Sequence, residues 1–207
     1  METLAIVGAS GHGKVVAELA ELLGYVVTFY DDSYPKIKNV EHWSVIGTLD
    51  DLLKNNNDYN NAIVAIGNNS IRTHISYQLL EENFNLPFLI HPSAVVSKYA
   101  KVSSGSVVFA SAVVNAFAQV GQSCIINTGA VVEHDCVVGD GVHLSPNVAL
   151  AGGTKIGKLS WLGIGSVTKQ LTEIGINTTI GANSTVIHNI PSNITAIGSP
   201  ATIKKNY

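Results

Sequence analysis

Three groups of residues in this chain could carry chemistry. Glu133-His134-Asp135 sets an imidazole between two carboxylates, the composition of a general base whose charged form is steadied by a neighbour. His143 and the pair Gly152-Gly153 follow it. Near the start, Gly8-Ala9-Ser10-Gly11-His12-Gly13 joins a short apolar run to a helical pattern. Such a turn presents backbone N–H groups at a helix N-terminus, which suits a phosphate. Asp31 and Asp32 lie about 20 residues on, where a carboxylate can bond the hydroxyls of a ribose or sugar.

The elements that must position His134 are visible as a period. From Val96 to Val186 every sixth residue is aliphatic, and only Thr168 breaks the series. Six fits neither an α-helix at 3.6 nor a lone strand at 2.0. It fits a coil with three flat sides of six residues each. Four places after the aliphatic residue stand small ones, such as Ala112, Cys124, Ala130, Cys136, Thr154 and Ser166. Both rows point into a narrow prism, large residues at its centre and small ones near its corners. Gly121, Gly139, Gly157, Gly163, Gly175 and Gly181 follow the aliphatic position and are expected to supply the backbone angles of a sharp corner. Each buried aliphatic side chain contributes roughly 1.5–3 kcal/mol before entropy, and successive coils would pair as strands about 4.8 Å apart.

Three sides make about 18 residues per coil, so Gly152 falls beside His134 and Gly153 beside Asp135. His134 comes two places after the inward Val132 and points away from the core, near a corner. The paired glycines are expected to leave a gap against the imidazole and to expose peptide N–H groups. A general base beside free N–H donors is what acyl transfer requires. His143, one place before the inward Leu144, lies on a flat outer face and stacks with Trp161 one coil on. It is either a ligand contact in a subunit cleft or an interface residue. Cys124 and Cys136 point inward; they read as buried thiols that reach no substrate and form no disulfide.

The N-terminal part has another rhythm. Strands are expected at Leu4–Val7, Tyr25–Tyr30, Ala62–Ile66 and Phe88–Ile90, and helices over Lys14–Leu23 and Thr48–Leu53. Ser70 is expected to cap a further helix of about a dozen residues. The polar stretch Asn55–Asn61 reads as a surface loop. Alternating strands and helices imply a small parallel sheet of Rossmann-like layout. Only half of a dinucleotide domain is present, so a nucleotide-linked sugar fits better than NAD. The turn is G-x-S-x-x-G, with Ser10 in the middle glycine position. His12 is read as a loop residue, either reaching a phosphate or sugar oxygen or simply exposed. Asn68 ends the third strand on the edge where open α/β sheets bind ligands and could contact the base or sugar.

The chain has 207 residues and a net charge of −3, so no basic patch exists to neutralise nucleic-acid phosphates. No apolar run approaches the ~20 residues of a membrane span. The start lacks the basic region of a signal peptide, and with two buried thiols a cytoplasmic protein is the natural expectation. Two domains follow, an α/β Rossmann-like domain over 1–87 and an all-β coil over 88–207.

The run Asn127 to Cys136, the hexapeptide period, GASGHG, Tyr30-Asp31-Asp32, Ala65 to Asn69 and Ile197-Gly198-Ser199-Pro200-Ala201 together resemble one family. It is the hexapeptide-repeat sugar acetyltransferases typified by the bacillosamine-pathway N-acetyltransferase, which also includes sialic-acid O-acetyltransferases. The resemblance implies a left-handed parallel β-helix and a homotrimer with three active sites between subunits. It implies His134 as catalytic base, with Asp135 orienting the ring where the family often has Glu; Glu133 could share that role. It implies acetyl-CoA along the coil, contacting His143, Gly152, Ile164 and Gly181. Ser10, Gly11, His12, Asp31 and Asp32 match the family's sugar-nucleotide loop and acidic pair, and no metal is called for. The adjacent coil glycines Gly163 and Gly181 are expected to leave a smooth groove for a pantetheine arm. The first-choice reaction acetylates the 4-amino group of UDP-4-amino-4,6-dideoxy-N-acetylglucosamine, giving UDP-N,N'-diacetylbacillosamine; GDP- or dTDP-linked amino sugars are the alternatives. Three rivals stand beside it. A sialic-acid-type O-acetyltransferase would want a basic pocket, a metal-dependent hydratase would want several converging histidines, and a non-catalytic binding protein would release no CoA thiol.

Overall fold

The computed structural model describes residues 2–54 and 60–204. The chain divides into two compact units between Leu89 and Ile90, two residues beyond the boundary expected from sequence.

In the first unit, β1 (Thr3–Val7) runs into α1 (Gly11–Leu22), followed by β2 (Val26–Tyr30). Next come β3 (Asn39–Val40), β4 (Trp43–Gly47), α2 (Leu49–Lys54), β5 (Asn61–Val64) and α3 (Asn69–Glu81). The sheet order is β3-β4-β2-β1-β5. All neighbours are parallel except the edge pair β3–β4. The central strand is buried from Leu4 to Val7, as befits a parallel sheet covered on both faces. The β3–β4 hairpin was not expected from sequence. Its first strand is two residues long, and Glu41 turns the chain with φ +52°. Residues 55–59 of the expected polar loop lie outside the described residues; Asn60 forms a bend, and Asn61 already opens β5. The third helix is capped by Asn68 rather than Ser70, Asn68 Oδ1 accepting the Ile71 N–H at 3.0 Å.

The second unit is a three-sided parallel β-helix. One face stacks Val95–Val96, Val113–Val114, Val131–Val132, Ala149–Leu150, Val167–Thr168 and Thr185–Val186. A second begins at Lys101–Val102 and ends at Glu173–Ile174. The third carries Ile125–Ile126, His143–Leu144, Trp161–Leu162 and Thr179–Ile180. Partners are 18 residues apart, as in Val113↔Val131 and His143↔Trp161. The sixth-position series is buried from Val108 to Val186. The second inward row is likewise buried from Ser106 on, and it includes Val142 and Val148, which are larger than the row's pattern led one to expect.

The glycine reading needs correction. The left-handed corner is made by another position of the repeat, held by Gly129, Gly141, Gly153 and Gly165, and by Ser111, Phe117, Asp135, Asn147 and Leu171. Gly121, Gly139, Gly157, Gly163, Gly175 and Gly181 have no positive φ. They are glycines because of close approach. At Gly157 a Cβ would lie 2.5 Å from the Ile176 amide nitrogen, and at Gly163 2.7 Å from that of Ala182.

Candidate active site

His134 projects from a corner of the coil, its side chain 63% exposed. Its ring is fixed from the following residue. Nδ1 lies 2.8 Å from Asp135 Oδ2. A carboxylate only accepts, so Nδ1 carries the proton and Nε2 keeps its lone pair. Asp135 holds the left-handed corner conformation, φ +60°, which a short Asp tolerates better than most side chains. Glu133 serves the backbone instead, its Oε2 accepting the His134 N–H at 3.2 Å. The Asp135 hydrogen bond raises the His134 pKa above the ordinary histidine value; slight desolvation opposes it, and the charges of Asp135 and Glu133 add to the rise.

The coil arithmetic places the neighbours correctly. The Gly153 N–H donates to the His134 carbonyl at 2.9 Å, and the Leu171 N–H to that of Gly152 at 3.0 Å. The imidazole itself occupies the glycine slot, since a Cβ on Gly152 would lie 2.6 Å from His134 Nε2. The expected gap is therefore filled by the ring. Gly153 cannot be an open donor, because its N–H is committed within the coil. The Gly152 N–H makes no hydrogen bond among the described residues.

The break at Thr168 acts on this same segment. Elsewhere on the face, the residue after the aliphatic donates its N–H to the next coil's main chain, as Asn115 does to Val132 and Glu133 to Leu150. Ala151 instead donates to Thr168 Oγ1 at 3.1 Å. Thr168 Oγ1 also meets Thr154 Oγ1 at 2.9 Å, and Thr154 donates to the Ala151 carbonyl at 2.6 Å. Two buried hydroxyls thus hold the residue that leads into Gly152.

His143 stacks on Trp161, ring centroids 6.2 Å apart and 18° from parallel. Its Nε2 lies 3.3 Å from Asn127 Nδ2, a partner the sequence reading did not single out. Ile164 is half exposed. The space beyond the Gly181 Cα is filled by Ile197, whose Cγ2 would lie 2.7 Å from a Cβ there. Among the described residues, the Ile197 side chain thus interrupts the expected smooth groove from Gly163 to Gly181. The thiols point to carbonyls of the next coil, Cys124 to Gly139 at 3.1 Å and Cys136 to Ala151 at 3.3 Å, and burial pushes the Cys136 pKa up.

The first unit brings its loop residues to one sheet edge. Gly8 has φ +110°, and a Cβ on Gly13 would lie 2.2 Å from the Gly8 carbonyl oxygen. These two glycines fold the loop tightly onto α1, while Gly11 faces open space. Ser10 is the N-cap of α1 but its side chain makes no capping bond. Asp31 ties the loop down from the next strand, Oδ2 accepting the Ala9 N–H at 2.8 Å and Oδ1 the Ser33 N–H at 2.9 Å. Burial works to raise its pKa, but these hydrogen bonds outweigh it and the net shift is downward. Asp31 therefore shapes the loop, and the exposed Asp32 is the more open carboxylate. His12 is not a loop residue. It sits in the first turn of α1, mostly buried, and burial followed by the nearby Arg72 charge lowers its pKa to about 4. It is neutral at neutral pH and brings no positive charge to a phosphate. Arg72 was unforeseen. It is 1% exposed, with Nη1 donating to the Ile66 and Gly67 carbonyls at 2.8 and 3.2 Å and Nη2 to Asn69 Oδ1 at 2.8 Å. Asn68, an exposed residue, commits Oδ1 to its cap.

Among the described residues no group of three or more His, Cys, Asp or Glu could hold a metal ion, and no helix is long and apolar enough to cross a membrane.

Comparison with known proteins converges on one family. Residues 3–79 match the model of the PglD N-terminal domain, and residues 117–152, which include His134, match that of the bacterial transferase hexapeptide (six repeats). The chain is 37% identical over 121 residues to UDP-N-acetylbacillosamine N-acetyltransferase of Bacillus subtilis (strain 168). That match covers 53% of this chain and about half, 52%, of the relative's length. The acetyltransferase domain of PglB from Neisseria gonorrhoeae FA1090, solved in complex with acetyl coenzyme A, is 42% identical with a TM-score of 0.94. The alignment covers 98% of this chain and 99% of that one. A mutant of perosamine N-acetyltransferase from Caulobacter crescentus, solved with CoA and GDP-perosamine, is 36% identical with a TM-score of 0.96, covering 100% and 98%. End-to-end likeness at this identity, carried through both units and the His134 coil, shows that the chain belongs to the family of hexapeptide-repeat sugar acetyltransferases that includes the bacillosamine-pathway N-acetyltransferases.

Proposed function

We propose that this chain transfers the acetyl group of acetyl-CoA to the amino group of a nucleotide-linked amino sugar, with His134 as general base. The observation that carries the reading is the His134–Asp135 pair laid against Gly152: a ring with Nδ1 engaged, Nε2 basic, and an uncommitted main-chain N–H on the adjoining rung. Relatives solved with acetyl-CoA, and with CoA and GDP-perosamine, support both co-substrates.

His134 Nε2 accepts a proton from the sugar amine as that nitrogen attacks the thioester carbonyl. The Gly152 N–H is suited to the developing oxyanion. Collapse breaks the C–S bond, and the imidazolium returns its proton to the departing thiolate. Holding both substrates in one cleft supplies much of the rate. No acyl-enzyme is needed, which agrees with thiols directed into the coil. His143, Gly152, Ile164 and the Gly181 backbone line the acetyl-CoA path in this reading, and Ser10, Gly11, His12, Asp32 and Asn68 face the nucleotide sugar. Asp31 acts from behind as the tie of that loop.

The first-choice acceptor is UDP-4-amino-4,6-dideoxy-N-acetylglucosamine, giving UDP-N,N'-diacetylbacillosamine, with GDP- and dTDP-linked amino sugars as alternatives. The enzyme works as a cytoplasmic homotrimer with active sites between subunits. The outward row Val95, Val113, Val131, Ala149 and Val167 gives one face of the coil the apolar character an interface needs. The test is thiol release from acetyl-CoA against a panel of nucleotide amino sugars and sialic acids. One amino sugar should stand out, and His134→Ala, with the trimer retained, should lower turnover by about 10²–10⁴-fold. Near-normal turnover in that variant would refute the role.

A further inference from the structure

A permanent positive charge lies buried beside the Gly8–Gly13 turn. Arg72 stands near the start of α3 and is 1% exposed. Its fork is held by neutral oxygens, Nη1 donating to the Ile66 and Gly67 carbonyls at 2.8 and 3.2 Å and Nη2 to Asn69 Oδ1 at 2.8 Å. The parallel neighbours β1 and β5 end where α1 and α3 begin, so both helix N-termini open on one edge of the sheet. The two strand-to-helix turns touch there. A Cβ on Gly8 would lie 2.9 Å from the Ala65 carbonyl oxygen and 2.9 Å from Ile66 Cγ1. Ile66 is also the residue whose carbonyl Arg72 holds. The guanidinium field reaches the first turn of α1: after burial, it is the second cause of the lowered His12 pKa.

The other charges at this turn do not favour a phosphate. Asp31 and Asp32 follow β2 on the same edge, and Asp31 is bound to the turn itself through the Ala9 N–H at 2.8 Å. His12 is neutral at neutral pH, and Lys14 is ion-paired with Glu41. Burying a guanidinium is costly. A neutral amide could donate to the Ile66 carbonyl; what Arg adds is a charge that it does not shed. Inside the protein that charge acts at a lower dielectric than in water and is screened less by salt.

We infer that Arg72 sets the preference of the first unit for a diphosphate-linked acceptor, attracting the phosphates through the protein from behind the Gly8–Gly13 turn without touching them. This rests on the reading of that turn as the nucleotide-sugar site. The first-turn N–H groups of α1 supply hydrogen bonds to the phosphates, and Arg72 supplies the charge that offsets Asp31 and Asp32. Held by three acceptors, the fork stays in place when a ligand arrives. A second phosphate group brings further negative charge into this field, so a diphosphate gains more from it than a monophosphate does.

The test is calorimetric titration of the full chain with UMP and UDP, GMP and GDP, and dTMP and dTDP, at low salt and at about 0.5 M salt. The readout is the diphosphate-to-monophosphate affinity ratio for the base that wild type binds best. Arg72→Gln should weaken the diphosphate about tenfold and the monophosphate about threefold, the scale of one charge acting at an effective dielectric of about 20. Arg72→Lys keeps a charge and loses the fork; its ratio should stay within about twofold of wild type. Acetyl-CoA affinity should hold in both variants, with folding followed by circular dichroism. An unchanged ratio in Arg72→Gln overturns the inference. So does a ratio in Arg72→Lys as low as in Arg72→Gln, which would assign the effect to the hold of the fork on the β5 turn. Should Arg72→Gln fail to fold, wild type decides: its ratio should persist at about 0.5 M salt, and a collapse there would place the attracting charge on the exposed surface. If wild type binds no nucleoside diphosphate, the reading of this unit as a nucleotide-sugar site falls and the inference with it. If wild type binds one and the ratio survives in Arg72→Gln, the inference alone falls.

Discussion

Asp135 Oδ2 sits 2.8 Å from His134 Nδ1 across a single peptide bond. That closeness depends on Asp135 turning the coil's corner at φ +60°. The residue that holds the imidazole is therefore also the residue that bends the chain. The left-handed turn brings this short carboxylate to the ring.

The pH profile follows from that pair. The His134 pKa is raised, first by the hydrogen bond to Asp135 and then by the charges of Asp135 and Glu133. A base must be unprotonated to act, so activity should be lost as pH falls through a pKa raised above the ordinary histidine value. Asp135→Asn removes the chief cause and should shift the acidic limb of kcat to lower pH while lowering the plateau. Glu133→Gln should move the limb less. A limb that stays put in Asp135→Asn would show that another group titrates.

Gly152 and Gly153 should respond differently to alanine. Gly152 has no positive φ, and the three atoms nearest an added Cβ all belong to the exposed His134 ring, the closest being Nε2 at 2.6 Å. Gly152→Ala should leave stability within about 1 kcal/mol but push the ring aside, lowering kcat by about 10²-fold. Gly153 is at φ +67°, where alanine costs about 1–2 kcal/mol. Gly153→Ala should thus lose stability as well. Thermal melts beside turnover separate the two, and equal kcat in Gly152→Ala and wild type would remove the glycine slot from the mechanism.

Much of the second unit is legible in the sequence because its period is six and its core position aliphatic. From these alone the 18-residue coil follows, and with it the placement of Gly152 against His134 and of His143 against Trp161. The corner glycines are not legible in the same way. Gly139 and Gly141 are both glycines in one turn, but the first avoids a clash with the next coil and the second supplies φ +67°; a sequence shows the residue and not which constraint applies. In the first unit the strands around GASGHG emerge because they are apolar and regular. His12 is misplaced in the loop rather than in α1 because its burial is tertiary, fixed by α1 packing and by Arg72, 60 residues away. The bond from the Ala9 N–H to Asp31 is not legible either, because it joins two loops 22 residues apart in sequence.

Thr168 is the one interruption of the aliphatic series, and valine there restores the period. In Thr168→Val the Ala151 N–H must leave the side-chain oxygen it now uses and return to the main chain, as at the other rungs. Thr154 keeps its bond to the Ala151 carbonyl, so the net stability change should be under about 1.5 kcal/mol in either direction. The segment leading into Gly152 should shift, and kcat should fall several-fold with the oligomeric state unchanged. A variant matching wild type in both stability and turnover would show that the interruption is tolerated rather than used.

His12 makes the stability of the first unit depend on pH. Its native pKa is lowered from 6.5 to about 4, by burial first and the Arg72 charge second. In the unfolded chain it binds a proton near its ordinary value. Between the two values the unfolded state holds more protons, so stability rises with pH there and falls as acid is added. The neutral ring's contribution is fully present above about 6.5 and is lost progressively down to about 4. A shift of this size corresponds to about 3 kcal/mol. Urea unfolding between pH 4 and 8, followed by a probe in the first unit, should show this slope in wild type and a shallower one in His12→Gln. The same slope in both proteins would mean that the titration belongs elsewhere and that His12 is not held neutral beside Arg72.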